Sequence, residues 1–310
     1  MFVRAAQGDR MRNQLCVSSY SLRQHLGPIR GTFRGPDGQK EPFVWEQPQT
    51  MTLLEFPGQA REKLGVDVVE ICQFHLPDRS PAYLEQLKRA LREAGTRLVN
   101  MPIDVGNISD ANRTYREEDL DEIEEWMRVA AALGAGYVRV NASAPLSKAQ
   151  LAPLETTIES YDRLAHTAES LGMQLLIENH GGITADPAVI VKIVEAVGPN
   201  RLKTLVDIGN FEPLMSMQWA IMQGQTPPEV DPTPVYGAIA QIAPYAGLAH
   251  AKTHDFDQQG RPLHLDVVRA LRVVRDAGFA GPISLEYEGN QGDAWENTRR
   301  TRALVEEAFS

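Results

Sequence analysis

The amino-acid sequence predicts an α/β fold in which eight parallel strands alternate with eight helices and close into a (β/α)8 barrel. Three observations support this fold: glycine-terminated helix patterns precede short apolar runs, proline marks helix starts, and the chain has 310 residues. A barrel of this kind typically takes roughly 250 residues, so the length fits one domain with insertions. Because strands and helices alternate along the chain, the strands are expected to lie parallel.

A repeated unit runs along the chain: an amphipathic helix pattern, a glycine, and then a short apolar or β-branched run. The glycines of these junctions are Gly65, Gly95, Gly134, Gly172, Gly198 and Gly278. Glycine is favoured just past the end of a helix because it adopts a positive φ without a Cβ clash. Ser80-Pro81 and Asp186-Pro187 indicate helix starts, since each places a capping residue before a proline in the first turn.

The predicted helices span residues 51–64, 81–94, 116–133, 148–171, 187–197, 235–243, 265–277 and 294–308. A first strand at residues 15–19 completes the set of eight strands. An open, doubly wound sheet is the main alternative, but that fold would carry a glycine-rich phosphate loop after its first strand. The segment there reads CVSSYSL and contains no glycine, which favours the closed barrel.

The barrel domain is predicted to cover residues 15–310, after a flexible N-terminal tail at residues 1–14. Two insertions break the regular spacing: residues 26–50 are rich in glycine and proline, and residues 211–234 contain several methionines and Trp219. Both insertions follow predicted strand ends, so both should lie over the catalytic face of the barrel. Their role is left open between lids over the site and an interface with another subunit, and the second insertion could also be a plain packing helix.

The composition excludes several classes of protein. The formal net charge is −10, from 31 basic and 41 acidic residues, which is unfavourable for binding nucleic acid. The sequence has no run of 18 apolar residues and no signal-peptide pattern, so we expect a cytoplasmic protein without a membrane partner. Cys16 and Cys72 lie in apolar, strand-like surroundings and are predicted to be buried thiols rather than a disulfide.

Four strand-like runs in the second half of the chain end on a candidate metal ligand. The runs read LLIEN, TLVDIGN, GLAHAK and ISLEYEG, and the candidate ligands are Glu178, Asp207, His250 and Glu286. The C-terminal ends of barrel strands face the active site, so these side chains should converge there. Three carboxylates repel one another unless a cation neutralises them, and oxygen with imidazole suits one divalent metal ion. The alternative for any single carboxylate is a structural salt bridge.

Further polar side chains lie at the same predicted rim. Lys252 follows His250 by two residues, and its role is left open between donation to a developing oxyanion and a salt bridge to a nearby acid. Six residues are predicted to bind the substrate: His75, Asn100, Asn141, His180, Asn210 and His254. Each of them comes at or shortly after the end of a predicted strand, where a barrel presents its binding groups.

Four motifs together resemble the sugar phosphate isomerase/epimerase family of xylose isomerase-like TIM barrels. They are E-N-H after one strand, V-D-I-G-N after the next, H-x-K followed by an acidic residue, and a closing G-P-I-S-L-E-x-E. The resemblance covers roughly residues 15–309 in element order, and it implies that Glu178, Asp207, His250 and Glu286 bind one divalent metal. Manganese is the expected metal, with magnesium, cobalt and zinc as variants, and relatives of this kind form homodimers or homotetramers.

The resemblance also implies a mechanism. Glu178 and Glu286 would approach the substrate from different sides and exchange protons with it, next to a metal-bound carbonyl and through an enediolate. Three positions depart from the pattern of ketose 3-epimerases, which carry glutamate, histidine and arginine where this chain has Thr184, Asn210 and Phe256. These departures weaken the assignment to ketohexose 3-epimerases, and the H-x-K arrangement is more similar to inosose dehydratases.

The expected function is therefore that of a divalent-metal-dependent isomerase or epimerase acting on a sugar or keto-sugar. The main alternative is a lyase or dehydratase that uses the same metal site on a keto-sugar or an inosose. An apurinic-site endonuclease is less favoured, because it needs more histidine ligands and this chain has a net charge of −10. A non-catalytic sugar-binding subunit is also less favoured, since such a protein needs neither a metal nor two bases. The identity of the sugar stays open.

Overall fold

The computed structural model describes residues 13–35, 37–143, 150–223, 225–226 and 228–310. Its strands are β1 (Leu15–Ser18), β2 (Ile29–Arg34), β3 (Lys40–Trp45), β4 (Val68–Glu70), β5 (Arg97–Ile103), β6 (Tyr137–Val140), β7 (Gln174–Glu178), β8 (Leu202–Asp207), β9 (Ala246–Thr253) and β10 (Ile283–Tyr287). Its helices are α1 (Phe56–Leu64), α2 (Pro81–Ala94), α3 (Arg113–Ala132), α4 (Leu154–Ser170), α5 (Pro187–Val197), α6 (Leu214–Met222), α7 (Thr233–Ile242), α8 (Val267–Asp276) and α9 (Ala294–Phe309).

Eight of the strands form a closed barrel in the order β1, β10, β9, β8, β7, β6, β5, β4, and β1 pairs with both β10 and β4. All of these pairings are parallel. The prediction of a closed eight-stranded (β/α)8 barrel in one domain is therefore confirmed. Among the described helices, none combines the length and the apolarity needed to span a bilayer.

The predicted helix signals act as expected at several ends. Gly65 has a φ of 64° at the end of α1, and Gly95 has a φ of 62° at the end of α2. Both glycines adopt the left-handed conformation that a side chain would disfavour. At the start of α2, the hydroxyl of Ser80 accepts a hydrogen bond from the backbone N–H of Tyr83, and proline follows it in the first turn.

Two predicted helix starts are wrong, and proline explains both. The start predicted at residue 51 would place Pro57 in a helix interior, whereas α1 begins at Phe56 so that Pro57 lies in the first turn. The start predicted at residue 148 would do the same to Pro153, whose extended backbone instead precedes α4. Residues 148 and 149 themselves lie outside the described residues. The third helix begins at residue 113, slightly before its predicted start at 116.

The barrel interior beneath the strand ends is apolar. A separate buried cluster contains Cys16, Val68, Val99, Leu176, Leu205 and Leu248. Leu176, Leu205 and Leu248 each precede a candidate metal ligand by two residues on the same strand, so alternation puts the leucine and the ligand on the same face. The candidate ligands therefore lie next to an apolar layer inside the barrel. Both cysteines are buried and free, as predicted.

Both insertions carry regular structure, of which only a helix in the second was among the sequence-based alternatives. The first folds as an antiparallel hairpin of β2 and β3, which follows the first barrel strand. The second contains α6, which follows β8, the sixth strand of the barrel. The predicted N-terminal tail falls largely on residues 1–12, which lie outside the described residues. Asn13, the first described residue, is buried and donates hydrogen bonds to the carbonyls of Phe279 and Gly281.

Candidate metal centre and substrate cavity

Four neighbouring strands bring the predicted ligands to one end of the barrel. Glu178 is the last residue of β7 and Asp207 is the last residue of β8, while His250 lies on β9 directly beside Asp207. Glu286 lies on β10, two residues past the partner of His250 in the register. All four side chains are buried, with exposed fractions of 2%, 0%, 2% and 6% in this order.

The imidazole of His250 lies at the centre of the three carboxylates. Its Nδ1 atom is 2.6 Å from Oε2 of Glu286, 3.6 Å from Oδ2 of Asp207 and 3.8 Å from Oε1 of Glu178. One ligand atom each from Glu178, Asp207 and His250 lies within 4.8 Å of the others, which is close enough for a single ion. The structure therefore brings together the four side chains that the sequence predicts as ligands.

The opposite nitrogen of His250 is held by Glu70, at the end of β4. Nε2 of His250 lies 3.0 and 3.1 Å from the two carboxylate oxygens of Glu70, which is fully buried. Asn100 donates a further hydrogen bond to Glu70 at 2.8 Å. A carboxylate in this position keeps the proton on Nε2 and leaves Nδ1 free to bind a metal. Burial would raise the pKa of Glu70, but His250 and Asn100 hold it below its usual value.

The four predicted ligands fit a cation because each of them presents a buried atom that makes no hydrogen bond of acceptable geometry. These atoms are Oε2 of Glu178, Oδ2 of Asp207, Nδ1 of His250 and Oε2 of Glu286. Without a metal they lie at ion-pair distances: Oε2 of Glu178 is 2.8 Å from Arg139, Oδ2 of Asp207 is 3.0 Å from Lys252, and Oε2 of Glu286 is 2.6 Å from His250. Three carboxylates and one imidazole suit a divalent metal ion, which would satisfy all four atoms at once.

Glu178 is further held by a buried arginine on the neighbouring strand. Nε of Arg139 lies 2.8 Å from Oε2 of Glu178, and Nδ2 of Asn210 donates to the other oxygen at 3.1 Å. Arg139 also donates two hydrogen bonds to the carboxylate of Asp104, at 2.6 and 3.2 Å. Burial raises the pKa of Glu178 to about 8, although Arg139 and His250 act in the opposite direction.

Lys252 lies beside the candidate metal centre, two residues past His250 on β9, with three partners for its three N–H groups. Its Nζ atom is 3.0 Å from Asp207 and 3.1 Å from Glu288, and it donates to Asn210 at 2.8 Å. These acidic partners hold the pKa of Lys252 well above its usual value despite its burial. Of the two roles left open for Lys252, this geometry favours the ion pair. Gly209 permits the arrangement, since a Cβ there would lie 2.8 Å from the lysine stem.

A cavity of about 320 Å³ opens directly above the centre. Glu178, His250, Lys252 and Glu286 are among the residues of its floor. Its outer wall comes from the two insertions, through Ile29, Phe33, Phe43 and Trp45 of the hairpin and Met215, Gln218 and Trp219 of α6. The prediction that both insertions lie on the catalytic face is confirmed. Whether Trp45 or Trp219 senses a bound ligand stays a prediction.

The model of the xylose isomerase-like TIM barrel family matches residues 59–307 of the chain. This protein belongs to that family. The resemblance inferred from the four sequence motifs is thereby confirmed at the level of the family. Among curated protein sequences, none is significantly similar to this one.

Solved structures of this fold resemble the protein over nearly its whole length. A xylose isomerase-like TIM barrel protein from Mycobacterium smegmatis in complex with magnesium has a TM-score of 0.63 and 18% identity, over 96% of this chain and 98% of the other. D-Psicose 3-epimerase from Clostridium cellulolyticum H10, with D-tagatose, has a TM-score of 0.63 and 16% identity, over 96% of each chain. 3-Keto-D-glucoside 4-epimerase from E. coli has a TM-score of 0.57 and 17% identity, over 82% and 94%. At these identities the likeness concerns the fold.

The six predicted substrate-binding residues of this xylose isomerase-like barrel occupy different positions. His180 and Asn210 line the cavity, and Asn210 also bridges Glu178 and Lys252. Asn100 is committed to Glu70 rather than to the cavity.

The remaining three are buried beside the cavity but are not among its lining residues. Asn141 donates to Asp104 at 2.8 Å. His75 hydrogen-bonds Ser19 at 2.8 Å, while its Nε2 lacks a partner, as does Nε2 of His254. Burial lowers the pKa of His75 to about 3 and that of His254 to about 4, so both imidazoles are neutral near pH 7.

Sequence reasoning missed Arg139, Asp104 and Glu288 as members of the site. Arg139 was readable from strand alternation, because it lies two residues before Asn141 in the run YVRVN and so shares its inward face. Glu288 stands in the E-x-E motif two residues after Glu286, in the same relation. Asp104 follows β5 and has no comparable signal, since only the fold brings it to Arg139.

Proposed function

We propose that this protein is a divalent-metal-dependent isomerase or epimerase that acts on a sugar or keto-sugar. The observation that carries the proposal is the convergence of three buried carboxylates and one buried imidazole below an open cavity. The sugar epimerases among the solved structures of this fold support a carbohydrate substrate. We also propose a cytoplasmic location and a homo-oligomeric state.

Glu178, Asp207, His250 and Glu286 would hold the cation. When bound there, a divalent metal supplies Lewis acidity for a carbonyl and a neighbouring hydroxyl of the substrate. Manganese is our first choice, and the magnesium in the mycobacterial structure supports a hard divalent ion at such a site. Glu70 contributes from outside the ligand set, because it fixes which nitrogen of His250 is free.

Glu286 is the stronger candidate for the base that removes a proton from the carbon beside the carbonyl. In the described part of the chain its one ion-pair partner is His250, and it faces the cavity. Burial raises the pKa of both Glu286 and Glu178, so the smaller number of partners around Glu286, rather than its pKa, makes it the better candidate. Lys252 and Asn210 would orient Asp207 and Glu178, and His180 would contact the substrate from the cavity lining.

A lyase or dehydratase that starts with the same proton removal is the second candidate. The contact between Arg139 and Glu178 favours it, because an elimination needs one base whereas a two-base epimerisation needs both carboxylates free. The positions that depart from the ketose 3-epimerase pattern agree with this. Thr184 is buried and accepts a hydrogen bond from the backbone of His180, and Phe256 stacks on Tyr287.

Solvent exchange tests both candidates together. Manganese-loaded protein is incubated in D2O with a panel of keto-sugars, and the products are followed by NMR. We expect one carbon-bound hydrogen to exchange with solvent deuterium, with an epimer or isomer as product for the first candidate and a dehydrated product for the second. Conversion without any exchange would instead indicate hydride transfer, and it would remove the base role from Glu286 and Glu178.

A further inference from the structure

The cavity above the metal centre has two chemically different ends. Its floor is formed by charged side chains, which include Glu178, Lys252 and Glu286. Its outer wall is mainly apolar and aromatic, and it is formed by Ile29, Phe33, Phe43, Trp45, Met215 and Trp219 together with Tyr20 and Phe74. The hydroxyl groups of a sugar can be satisfied at the charged floor, whereas the outer wall can contact only C–H faces and rings. The wall therefore suits a less polar part of the ligand.

The pairing of the hairpin explains how this wall is built. In the antiparallel register, Ile29 lies opposite Trp45 and Gly31 lies opposite Phe43. Alternation along the two strands places Ile29, Phe33, Phe43 and Trp45 on one face of the hairpin. Gly31 leaves room for the ring of Phe43, because a Cβ at that position would lie 2.5 Å from the ring in its present position. The ring thus packs flat over the backbone of β2.

Ion pairs with α3 hold the hairpin in place. Arg34 contacts Asp119 at 2.7 Å and Glu118 at 3.0 Å. Lys40 contacts Asp119 at 2.8 Å and Glu122 at 2.6 Å, and Asp119 is almost completely buried. A network of this kind, centred on a buried carboxylate, restrains the hairpin more than isolated surface pairs would. The aromatic face is therefore a fixed wall of the cavity.

The apolar face of the hairpin is partly exposed to solvent, and a bound ligand would cover it. Phe33, Phe43 and Trp45 are 48%, 42% and 40% exposed, although they lie side by side at the mouth of the cavity. Contiguous exposed apolar side chains of this size commonly mark a binding groove. The cavity volume of about 320 Å³ lies near the lower end of the range for small-molecule sites, which fits one sugar with one further ring.

We infer that the hairpin face is a subsite for an aromatic or similarly apolar aglycone, so that the substrate is a glycoside or other sugar conjugate rather than a free sugar. The inference rests on the proposed function, because it takes the metal centre as the sugar end of the site. Phe43 and Trp45 would contact the aglycone from the hairpin, and Trp219 would contact it from α6.

Paired ligands test the subsite without turnover. Isothermal titration calorimetry on the manganese-loaded protein compares phenyl with methyl glycosides of D-glucose and D-galactose, in both anomeric forms. We expect the phenyl member of at least one pair to bind about tenfold more tightly, which corresponds to roughly 1.4 kcal/mol. Phe43→Ala and Trp45→Ala should reduce this ratio to near one and leave the methyl glycoside unaffected. A native ratio near one, or no binding of any phenyl glycoside, overturns the subsite.

Val44 provides the matched control. It lies between Phe43 and Trp45 on β3, is 52% exposed and points to the other face of the hairpin, so Val44→Ala should keep the full ratio. Sedimentation of the same variants detects the competing occupant, a second copy of the chain. A smaller assembly in Phe43→Ala or Trp45→Ala with an unchanged ratio would show a subunit interface instead.

The two proposals fail separately. Solvent exchange with keto-sugars but no phenyl preference removes the subsite alone. A phenyl preference without any sugar conversion or exchange removes the proposed reaction and leaves the subsite.

Discussion

Glu178 and Glu286 close the metal centre from two different strands, and their surroundings differ. Glu178 has a partner on each carboxylate oxygen, since Arg139 lies 2.8 Å from one and Asn210 donates to the other at 3.1 Å. Glu286 has one charged partner, His250, at 2.6 Å. Two side chains of the same type, both at strand ends and both buried, are thus constrained to different degrees.

This difference argues for unequal roles in a reaction that moves a proton. A carboxylate that is held by a guanidinium on one oxygen and an amide on the other is well suited to bind a cation in a fixed position. A carboxylate with one oxygen left free can bind the cation and still accept a proton from the substrate. The comparison therefore predicts a ligand role for Glu178 and a combined ligand and base role for Glu286.

The largest effect should come from Asp207, which serves both sides of the centre. We expect Asp207→Ala to lose metal binding, because Asp207 would supply one of the four predicted ligand atoms and also contacts Lys252 at 3.0 Å. Elemental analysis after dialysis measures the metal, with Glu286→Gln analysed in parallel. If both variants keep full metal occupancy, the ligand set is wrong and the comparison of the two glutamates loses its basis.

Removal of the guanidinium beside Glu178 should mainly affect stability. Arg139→Met leaves Asp104 and Glu178 buried without their cation, and breaking a buried ion pair from one side typically costs about 3–5 kcal/mol. Urea unfolding of the metal-free protein measures the loss. Arg269→Met is the control, because Arg269 packs on the ring of Tyr236 and has no ion pair among the described residues. Equal free energies of unfolding for the two variants would contradict the conclusion that Arg139 holds Glu178 in place.

Glu286→Gln should reduce turnover and solvent exchange by about a hundredfold or more, in the range of a lost general base. The fold should tolerate the change better than Glu178→Gln, because no arginine loses its partner. Steady-state rates and deuterium exchange are measured at saturating manganese so that weaker metal binding is corrected. Exchange at the native rate in Glu286→Gln, with exchange lost in Glu178→Gln, would reverse the two roles.

The smallest effect concerns pH and a histidine away from both glutamates. The pKa of His75 is about 3 in the folded protein, because burial and Arg23 lower it from 6.5. The unfolded chain therefore binds this proton more readily, so stability is full above pH 6.5 and falls as the pH decreases towards 3. The loss is at most about 1.4 kcal/mol per pH unit for one group.

His75→Asn should flatten this dependence, since asparagine does not titrate. Urea unfolding at several values between pH 4 and pH 7 measures the slope. A slope that is unchanged in His75→Asn would mean that folding does not lower the pKa of His75.

The sequence was sufficient to predict which four side chains come together, because each is a simple combination of residue type and position. An acid or a histidine on the inward-facing side of a strand end faces the catalytic rim of a barrel. The residues that orient the predicted ligands were harder to predict, because their roles depend on partners far along the chain. Glu70 meets His250 across 180 residues, and no local pattern announces that contact.

The two wrong helix starts and the hairpin show a different limit. Apolar periodicity extended the first and fourth helices backwards past Pro57 and Pro153, although a proline inside a helix removes a hydrogen bond and should have ended the extension. The hairpin was hidden because β2 and β3 contain Gly31 and Pro42, which are poor strand formers. Their pairing becomes favourable only with the cavity behind them and α3 beside them.

The hydrogen bond between Glu70 and His250 joins residues from two different halves of the chain. All four predicted ligands lie on β7 to β10, whereas Glu70 lies on β4 in the first half of the barrel. A fragment that began at β7 would thus contain every metal ligand but would leave the tautomer of His250 undetermined. Strong metal capture is expected only after the two half-barrels meet, so the ion would act as a reporter of barrel closure.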